Sequence, residues 1–274
     1  MPSYNQAEFI GRSIDNVFAQ SHRPLELIVC DGGSNDGSQD ILAEKAARYP
    51  TLRWTSEPDN GPASAINKAL SQVRGTIIGW LNSDDLYTEG AIARAVACFS
   101  EHQGTLLCYG EAQHIDAEDA VIETYPTRPP EAGLDGFRNG CFICQPTMFF
   151  KTSVRTLLGP LDETLKTSFD YDYWLRAFTA FPERIGYMPE VQAQSRLHDA
   201  CITVNMRRTV ALEGLMLSHK FLGQGELHWL ATYLEQVRAE QSGEAFQSEL
   251  ISVLAAAKPY LSAAQVQHLG SLST

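Results

Sequence analysis

The amino-acid sequence predicts an α/β protein, a mostly parallel sheet covered by helices on both faces, followed by a helical extension. Three observations carry this. Short apolar runs recur at 25–30 ("LELIVC"), 51–58 ("TLRWTSEP"), 76–82 ("TIIGWLN") and 105–116 ("TLLCYGEAQHID"). Helical patterns stand between them, and strands that alternate with helices are joined by crossovers into a parallel sheet buried on both sides. From residue 205 onward the strand-like runs stop, so the chain divides into 1–204 and a helical part, 205–274.

The elements follow in order. "FIGRSIDNVFAQ" (9–20) sets Phe9, Ile10, Ile14, Val17 and Phe18 on one helical stripe. A βαβ series should place a strand before this helix, yet only "MPSYNQAE" stands there, so the first strand is expected to be missing or truncated. "LELIVC" then breaks into "DGGSNDGS" and a helix, 38–50, with Ser38 as its expected N-cap. "TLRWTSEP" is the next strand, and "GPASAINKALSQVRG" is a helix closed by Gly75. "TIIGWLN" leads into "SDD" and a helix with Thr88 as its expected N-cap, and "TLLCYGEAQHID" is a further strand. "YPTRPPEAGLDGF" (125–137) is a connection, "CFICQPTMFFKTSV" is strand-like, "FDYDYWLRAFTAFP" is a helix with an acidic start, and "RIGYMPEVQAQSRLHD" is a strand and loop. In the extension Val210, Leu212, Leu215, Met216, Leu227, Leu230 and Leu234 recur at helical spacing.

Composition narrows the function classes. The net charge is −12, and residues 205–274 hold 5 Lys+Arg against 6 Asp+Glu, so the acidity belongs to the first 204 residues. Without a basic face a nucleic-acid partner is not expected. No run of about 18 apolar residues occurs, and the N-terminus lacks the basic start and apolar core of a signal peptide, so a cytoplasmic protein is expected. The six cysteines show only one close spacing, "CFIC" at 141–144, with no second pair, and are expected to be reduced and mostly buried.

The acidic clusters "DGGSNDG", "SEPDNG" and "NSDD" all follow strands. In parallel sheets ligands bind beyond the carboxyl ends of the strands, so the three should share one rim. The glycines at 32, 33 and 37 do not fit a dinucleotide fingerprint. Ser38 stands where a P-loop requires Lys, and Asp31 and Asp36 would repel phosphate. A cation held by carboxylates removes that repulsion: Asp84, beside Asn82 and Asp85, suits Mg²⁺ or Mn²⁺, which would bridge to a diphosphate. The bland alternative for "NSDD" is a turn before the next helix. Asp170 and Asp172 lie two apart on a helix, so only one can face a cleft as a general base. The other would complement the helix dipole.

In this order "PSYNQAEFIGRSIDNVFAQ", "LELIVCDGGSNDGS", "SEPDNGPASAINKAL", "GTIIGWLNSDDLY", "QPTMFFKTSV", "LDETLKTSFDYDYWLR" and "SRLH" resemble the inverting GT-A glycosyltransferases of family two, those of bacterial surface-polysaccharide synthesis in particular. The likeness covers about 1–205. It implies a GT-A fold with a Rossmann-like sheet, and a nucleotide pocket lined by Pro2, Tyr4 and Asn5, with Asp31 accepting hydrogen bonds from the base and Asp59 and Asn67 nearby. It implies Asp84 and His198 as ligands of Mg²⁺ or Mn²⁺, Asp85 either toward the donor sugar or orienting Asp84, Arg196 on phosphate, and Asp170, ahead of Asp172, as catalytic base. Asn82 replaces the first acid of the family's metal motif, and Ser64 and Ile66 stand where many relatives have Asp and Arg.

The function so implied is metal-dependent transfer of a sugar, with inversion, from a UDP-, GDP- or dTDP-sugar to a glycan or lipid-linked acceptor in surface-polysaccharide synthesis. The expected setting is the cytoplasm, with the inner membrane face and a homodimer left open. The alternative from another class, motivated by the short first strand and by Ser64 and Ile66, is a non-catalytic nucleotide-sugar-binding or assembly protein of the same fold.

Overall fold

A computed structural model describes residues 1–272 of the 274-residue chain. Its first part runs β1 (Pro2–Ser3), α1 (Ile10–Ala19), β2 (Leu27–Asp31), α2 (Ser38–Arg48), β3 (Leu52–Ser56), α3 (Pro62–Ser71), β4 (Ile77–Gly79), β5 (Leu86–Tyr87) and α4 (Ala91–Glu101). Then come β6 (Leu107–Ile115), β7 (Val121–Thr124), β8 (Phe149–Lys151), α5 (Thr152–Leu158), α6 (Phe169–Ala180) and β9 (Ile185–Arg196). The chain continues with α7 (Ile202–Asn205), α8 (Arg207–Leu222), α9 (His228–Glu240), α10 (Gly243–Ala257) and α11 (Ala263–Leu272). The fold is α/β with C-terminal helices, as the sequence predicts.

The strands form two sheets. β1, β2 and β3 are parallel in that order. The second sheet runs β4-β8-β6-β9-β5, with β7 against β6. Here β6 and β9 are parallel, while β8 pairs antiparallel with both β4 and β6, and β5 pairs antiparallel with β9. The "TIIGWLN" strand therefore joins a mixed sheet rather than the parallel set, because its hydrogen-bonding neighbour is β8, which enters from the opposite direction.

The first strand is present as a stub of two residues, so of the two expectations, missing or truncated, the structure shows the shortened strand. Pro2 and Ser3 register against Cys30 and Asp31, and Gly32 N donates to Ser3 O at 2.8 Å. Since β1 is so short, an apolar cavity of about 500 Å³ separates the lower parts of β2 and β4, lined by Leu25, Leu27, Ile66, Leu70, Ile77 and Ile78 among others.

Two expected caps differ from the structure. α2 is preceded by Gly37 in the left-handed region at φ 101°, and Ser38 is its first helical residue, its hydroxyl donating to Asp36 Oδ1. α4 is preceded by Gly90 at φ 75°, while Thr88 donates its hydroxyl to Val191 O. In both places glycine adopts the required φ without a Cβ penalty, so the capping residue stands one or two positions away from the polar side chain. α3 ends at Ser71, before Gly75.

Packing explains why the C-terminal helices stay docked. α6 is buried almost all round through Tyr171, Tyr173, Trp174, Leu175, Ala177 and Phe178. α8 covers it, placing Leu217 in the main core, while Ala211 and Leu215 on the same helix join Leu230, Tyr233 and Val253 in a separate cluster. One helix thus belongs to two cores, and burying both faces ties the extension to the sheet domain by apolar area. Leu217→Ala is expected to destabilise the protein by about 2–5 kcal/mol, as a fully buried leucine truncated at a shared core does; urea unfolding of the two proteins checks this.

Candidate active site

The two sheets end at one cleft of about 840 Å³. Its lining includes Pro2, Tyr4, Asp59, Asp84, Asp85, Asp170 and Arg196 of the residues expected from the sequence. It also includes His114, Tyr125, Gln145, Ser168 and Trp229, which sequence reasoning did not single out, and Val210, which it placed only on a helical apolar pattern. Val210 and Trp229 come from the extension, beyond the quoted motifs. Trp229 carries no local pattern that separates a cleft aromatic from a core one.

The acidic end is built by crossing β4 to β5. β5 pairs with β9 at Leu86↔Gln194 and Tyr87↔Ala193, which sets residues 82–85 beside 195–198. Asp85 is buried and faces inward. Arg196 N donates to its Oδ1 at 2.9 Å and Asn82 Nδ2 to its Oδ2 at 3.0 Å. Burial, then the neighbouring Asp84 charge, push the Asp85 carboxyl well above the ordinary aspartate range. Asn82 is thus a donor that steadies the buried acid, which a carboxylate at that position could not be. Asp84 points the other way, and His198 Nε2 lies 3.0 Å from its Oδ2. The imidazole also packs on Phe9, ring centroids 4.7 Å apart.

No group of three or more His, Cys, Asp or Glu stands at metal-holding distance among the described residues. The donor set still fits Mg²⁺ or Mn²⁺ in a substrate-completed site: Asp84 lines the cleft, and His198, behind the lining, touches its carboxylate. Such ions commonly take one or two protein ligands with the rest from diphosphate and water.

The remaining sequence-predicted residues divide. Tyr4 is 63% exposed and stands over Gly32, and a Cβ at Gly32 would meet Asp59 Oδ2 at 3.1 Å and Tyr4 Cδ2 at 3.3 Å. Tyr4, Gly32 and Asp59 therefore form one tight edge of the cleft, and Asp59 Oδ1 accepts from Gly61 N at 2.8 Å. Asn5 lies outside the lining: at φ 51° it holds the turn, its Oδ1 accepting from Asn35 N. Asp31 is 2% exposed, and its oxygens are taken by Gly33 N, Ser34 N, Ser34 Oγ and Ser56 Oγ. It organises the loop from within, Oδ2 taking three donors and Oδ1 one.

Three of the expected residues have their side chains engaged elsewhere. Asn67 faces away from the cleft, bonding Leu161 and Glu163. The Arg196 guanidinium is turned inward, donating to Asp84 O and Asp116 O, pairing with Asp119 and lying over the Phe9 ring. Both ends of its fork are engaged with the β6–β7 turn, at Asp116 and Asp119. Asp172 is 2% exposed and paired with Arg176 at 2.8 Å and Lys220 at 3.3 Å, two positions along α6 from Asp170 and on another side of the helix.

Asp170 opens into the cleft at the start of α6. Its carboxyl is pushed up to about 6, by burial first, opposed by the Tyr171 N–H and assisted by the negative charge of Glu213. A carboxylate tuned toward neutrality is suited to take a proton from a hydroxyl near physiological pH. Its negative charge also helps hold the buried Tyr125, Cys141 and Cys144 in their protonated forms.

A family model described as glycosyl transferase family 2 matches residues 1–156. Chondroitin synthase of Escherichia coli is 28% identical over 179 residues, which is 64% of this chain and 25% of that protein. An uncharacterized glycosyltransferase of Rickettsia prowazekii (strain Madrid E) is 25% identical over 220 residues, 74% of this chain and 64% of that one. The chain thus spans less than two thirds of each of these relatives. Among solved structures, S. aureus TarS 1–349 in complex with UDP-GlcNAc superposes with a TM-score of 0.65 at 16% identity, over 93% of this chain and 80% of that one. Mannosyltransferase PcManGT from Pyrobaculum calidifontis, in complex with GDP-Man and Mn²⁺, gives 0.62 at 18% identity, over 99% and 84%. These structural likenesses establish the GT-A fold.

Asp31→Asn would turn an amide N–H₂ toward donors that now meet a carboxylate oxygen. It is expected to cost about 1–3 kcal/mol and to speed amide exchange across residues 32–37, measurable by chemical denaturation and hydrogen exchange.

Proposed function

The chain belongs to glycosyl transferase family 2, and on that premise we propose that it transfers a sugar, with inversion, from a nucleoside-diphosphate sugar to a hydroxyl of a glycan or lipid-linked acceptor. The observation that carries the reading is that Asp170 and Asp84, the latter in contact with His198, line one cleft whose other edge is Tyr4, Gly32 and Asp59. The nucleoside lies along that edge. Its diphosphate reaches the Asp84–His198 corner, where a divalent cation, when bound, neutralises charge and stabilises the diphosphate as leaving group. The UDP-GlcNAc and GDP-Man named with the two structural neighbours support a nucleotide-sugar in this cleft, and the Mn²⁺ named with one of them supports the metal.

Asp170 accepts the proton of the acceptor hydroxyl as the hydroxyl oxygen bonds to the anomeric carbon. The bond from that carbon to the β-phosphate oxygen breaks on the opposite face, and the nucleoside diphosphate departs with the electron pair. Attack opposite the leaving group inverts the configuration. Asp85, with both oxygens held by the chain, keeps Asp84 in place and contributes through it. The assignment of surface polysaccharide as product rests on the resemblance of the motifs; no helix among the described residues is long and apolar enough to cross a membrane.

Four outcomes are expected. Asp170→Asn should lower turnover by about 10²–10⁴-fold while UDP or GDP binding with Mn²⁺ is retained, as read by coupled nucleotide release and calorimetry; undiminished turnover would remove Asp170 as the base. With a folded-state pKa raised to about 6, the rate should climb through that pH and level off above it. The same shift makes stability fall between the unfolded aspartate value and about pH 6, since the native state there binds more protons, and Asp170→Asn should flatten that slope. Finally, Asp84→Ala and His198→Ala should each abolish the rise in melting temperature that Mn²⁺ plus nucleoside diphosphate gives the parent. Equal shifts with and without EDTA would refute the metal corner. Donor hydrolysis without acceptor separates an enzyme from a binding protein of the same fold.

A further inference from the structure

The residues just before α6 have an unusual anchor. Ser168, the residue preceding the helix, makes no side-chain cap. Its place is taken from the extension: Glu213 of α8 accepts from Lys166 N at 2.7 Å, Thr167 N at 2.9 Å, Ser168 N at 2.9 Å and the Thr167 hydroxyl at 2.7 Å. One carboxylate thus binds three consecutive backbone N–H groups and a hydroxyl. The next residues but one include Asp170. Further along, Lys220 of the same α8 reaches Asp172 at 3.3 Å, and Arg176 fixes that carboxylate from within α6. Glu213 and Lys220 are seven residues apart, two turns on one face of α8. They meet α6 with opposite charges at its N-terminus and at its second buried acid.

We propose that Glu213 is a positioning residue for sugar transfer, holding the 166–168 segment so that Asp170 stands at the cleft floor at the height the acceptor hydroxyl requires. This rests on the reading of Asp170 as the base. It gives the C-terminal extension a part in the reaction although it lies outside the region matched by the family model. The charge of Glu213 acts in the same direction as the geometry. A carboxylate beside Asp170 disfavours a second negative charge and makes Asp170 a stronger base; burial is the larger cause of that strengthening. The other titratable groups facing Asp170 are Tyr125, Cys141 and Cys144 of the 125–144 connection, each held protonated by burial. Glu213 is therefore the one named neighbour that brings charge.

The test uses the full chain and needs no knowledge of the acceptor. Mn²⁺-dependent hydrolysis of UDP-GlcNAc, UDP-glucose and GDP-mannose is measured for the parent, Glu213→Gln and Asp170→Asn, with UDP and GDP affinity measured alongside. Titration of the Asp170 carboxyl is followed by NMR of ¹³C-aspartate-labelled protein, assigned with Asp170→Asn, and amide exchange is followed over 166–172. In Glu213→Gln, hydrolysis should fall by about tenfold to 100-fold, the cost of a small misplacement of a reacting group. Nucleotide affinity should stay unchanged, the Asp170 titration should move to lower pH because a like charge is gone, and exchange should quicken over 166–168. Unchanged titration and exchange would overturn the proposal, as would a fall in hydrolysis matched by an equal fall in nucleotide affinity, which marks general loss of structure. If Glu213→Gln does not fold, Glu213→Asp keeps the charge on a shorter reach: exchange should quicken while the titration stays near the parent's. Full hydrolysis by Asp170→Asn would instead defeat the base assignment, and the titration and exchange would still report whether Glu213 places that segment.

Discussion

The site depends on a single buried carboxylate. Asp85 links two segments 111 residues apart by accepting from Arg196 N, and it is steadied from its own turn by Asn82. This bond clamps the turn after β4 against the end of β9. Two adjacent acids cannot both lie in a low-dielectric interior as charged groups. Once Asp85 is turned inward and tied, Asp84 must face the cleft. The inward Arg196 guanidinium reinforces the division by holding the Asp84 carbonyl. The corner that meets His198 is thus a consequence of how a like-charge pair is divided between interior and solvent.

A similar economy governs the opposite edge. Asp31 spends its oxygens on Gly33, Ser34 and Ser56, so the loop after β2 is rigid without a ligand. That rigidity brings Gly32 close enough to Tyr4 and Asp59 that a side chain would crowd them. The short β1 is sufficient for this because its pairing is confined to Cys30 and Asp31, next to the rim. The apolar gap lower down, between β2 and β4, lies away from these polar groups and holds none of the acids assigned to the reaction.

The cleft's far wall belongs to the helical extension. α8 packs into two cores at once, and through Glu213 and Lys220 it also makes polar contacts to α6. Trp229 lies against Tyr171, ring centroids 5.2 Å apart, and Val210 borders the same cleft. The extension is thus continuous with the catalytic part in packing and in the site.

By itself the sequence determined the alternation of strands and helices in the first half, the gathering of "DGGSNDG", "SEPDNG" and "NSDD" toward one rim, and the prominence of Asp84 and Asp170. These are local facts: apolar periodicity and the position of acids at strand ends are written in short windows. Only the tertiary structure decided that β4 pairs antiparallel with β8, that Asn67 and Asp172 turn away, and that Arg196 points inward. It also decided that Glu213 stands behind Asp170. Each of these depends on which distant partner satisfies a hydrogen bond or a charge. Nothing in the windows around Asp170 specifies a glutamate 43 residues away; the packing of α8 on α6 brings them together.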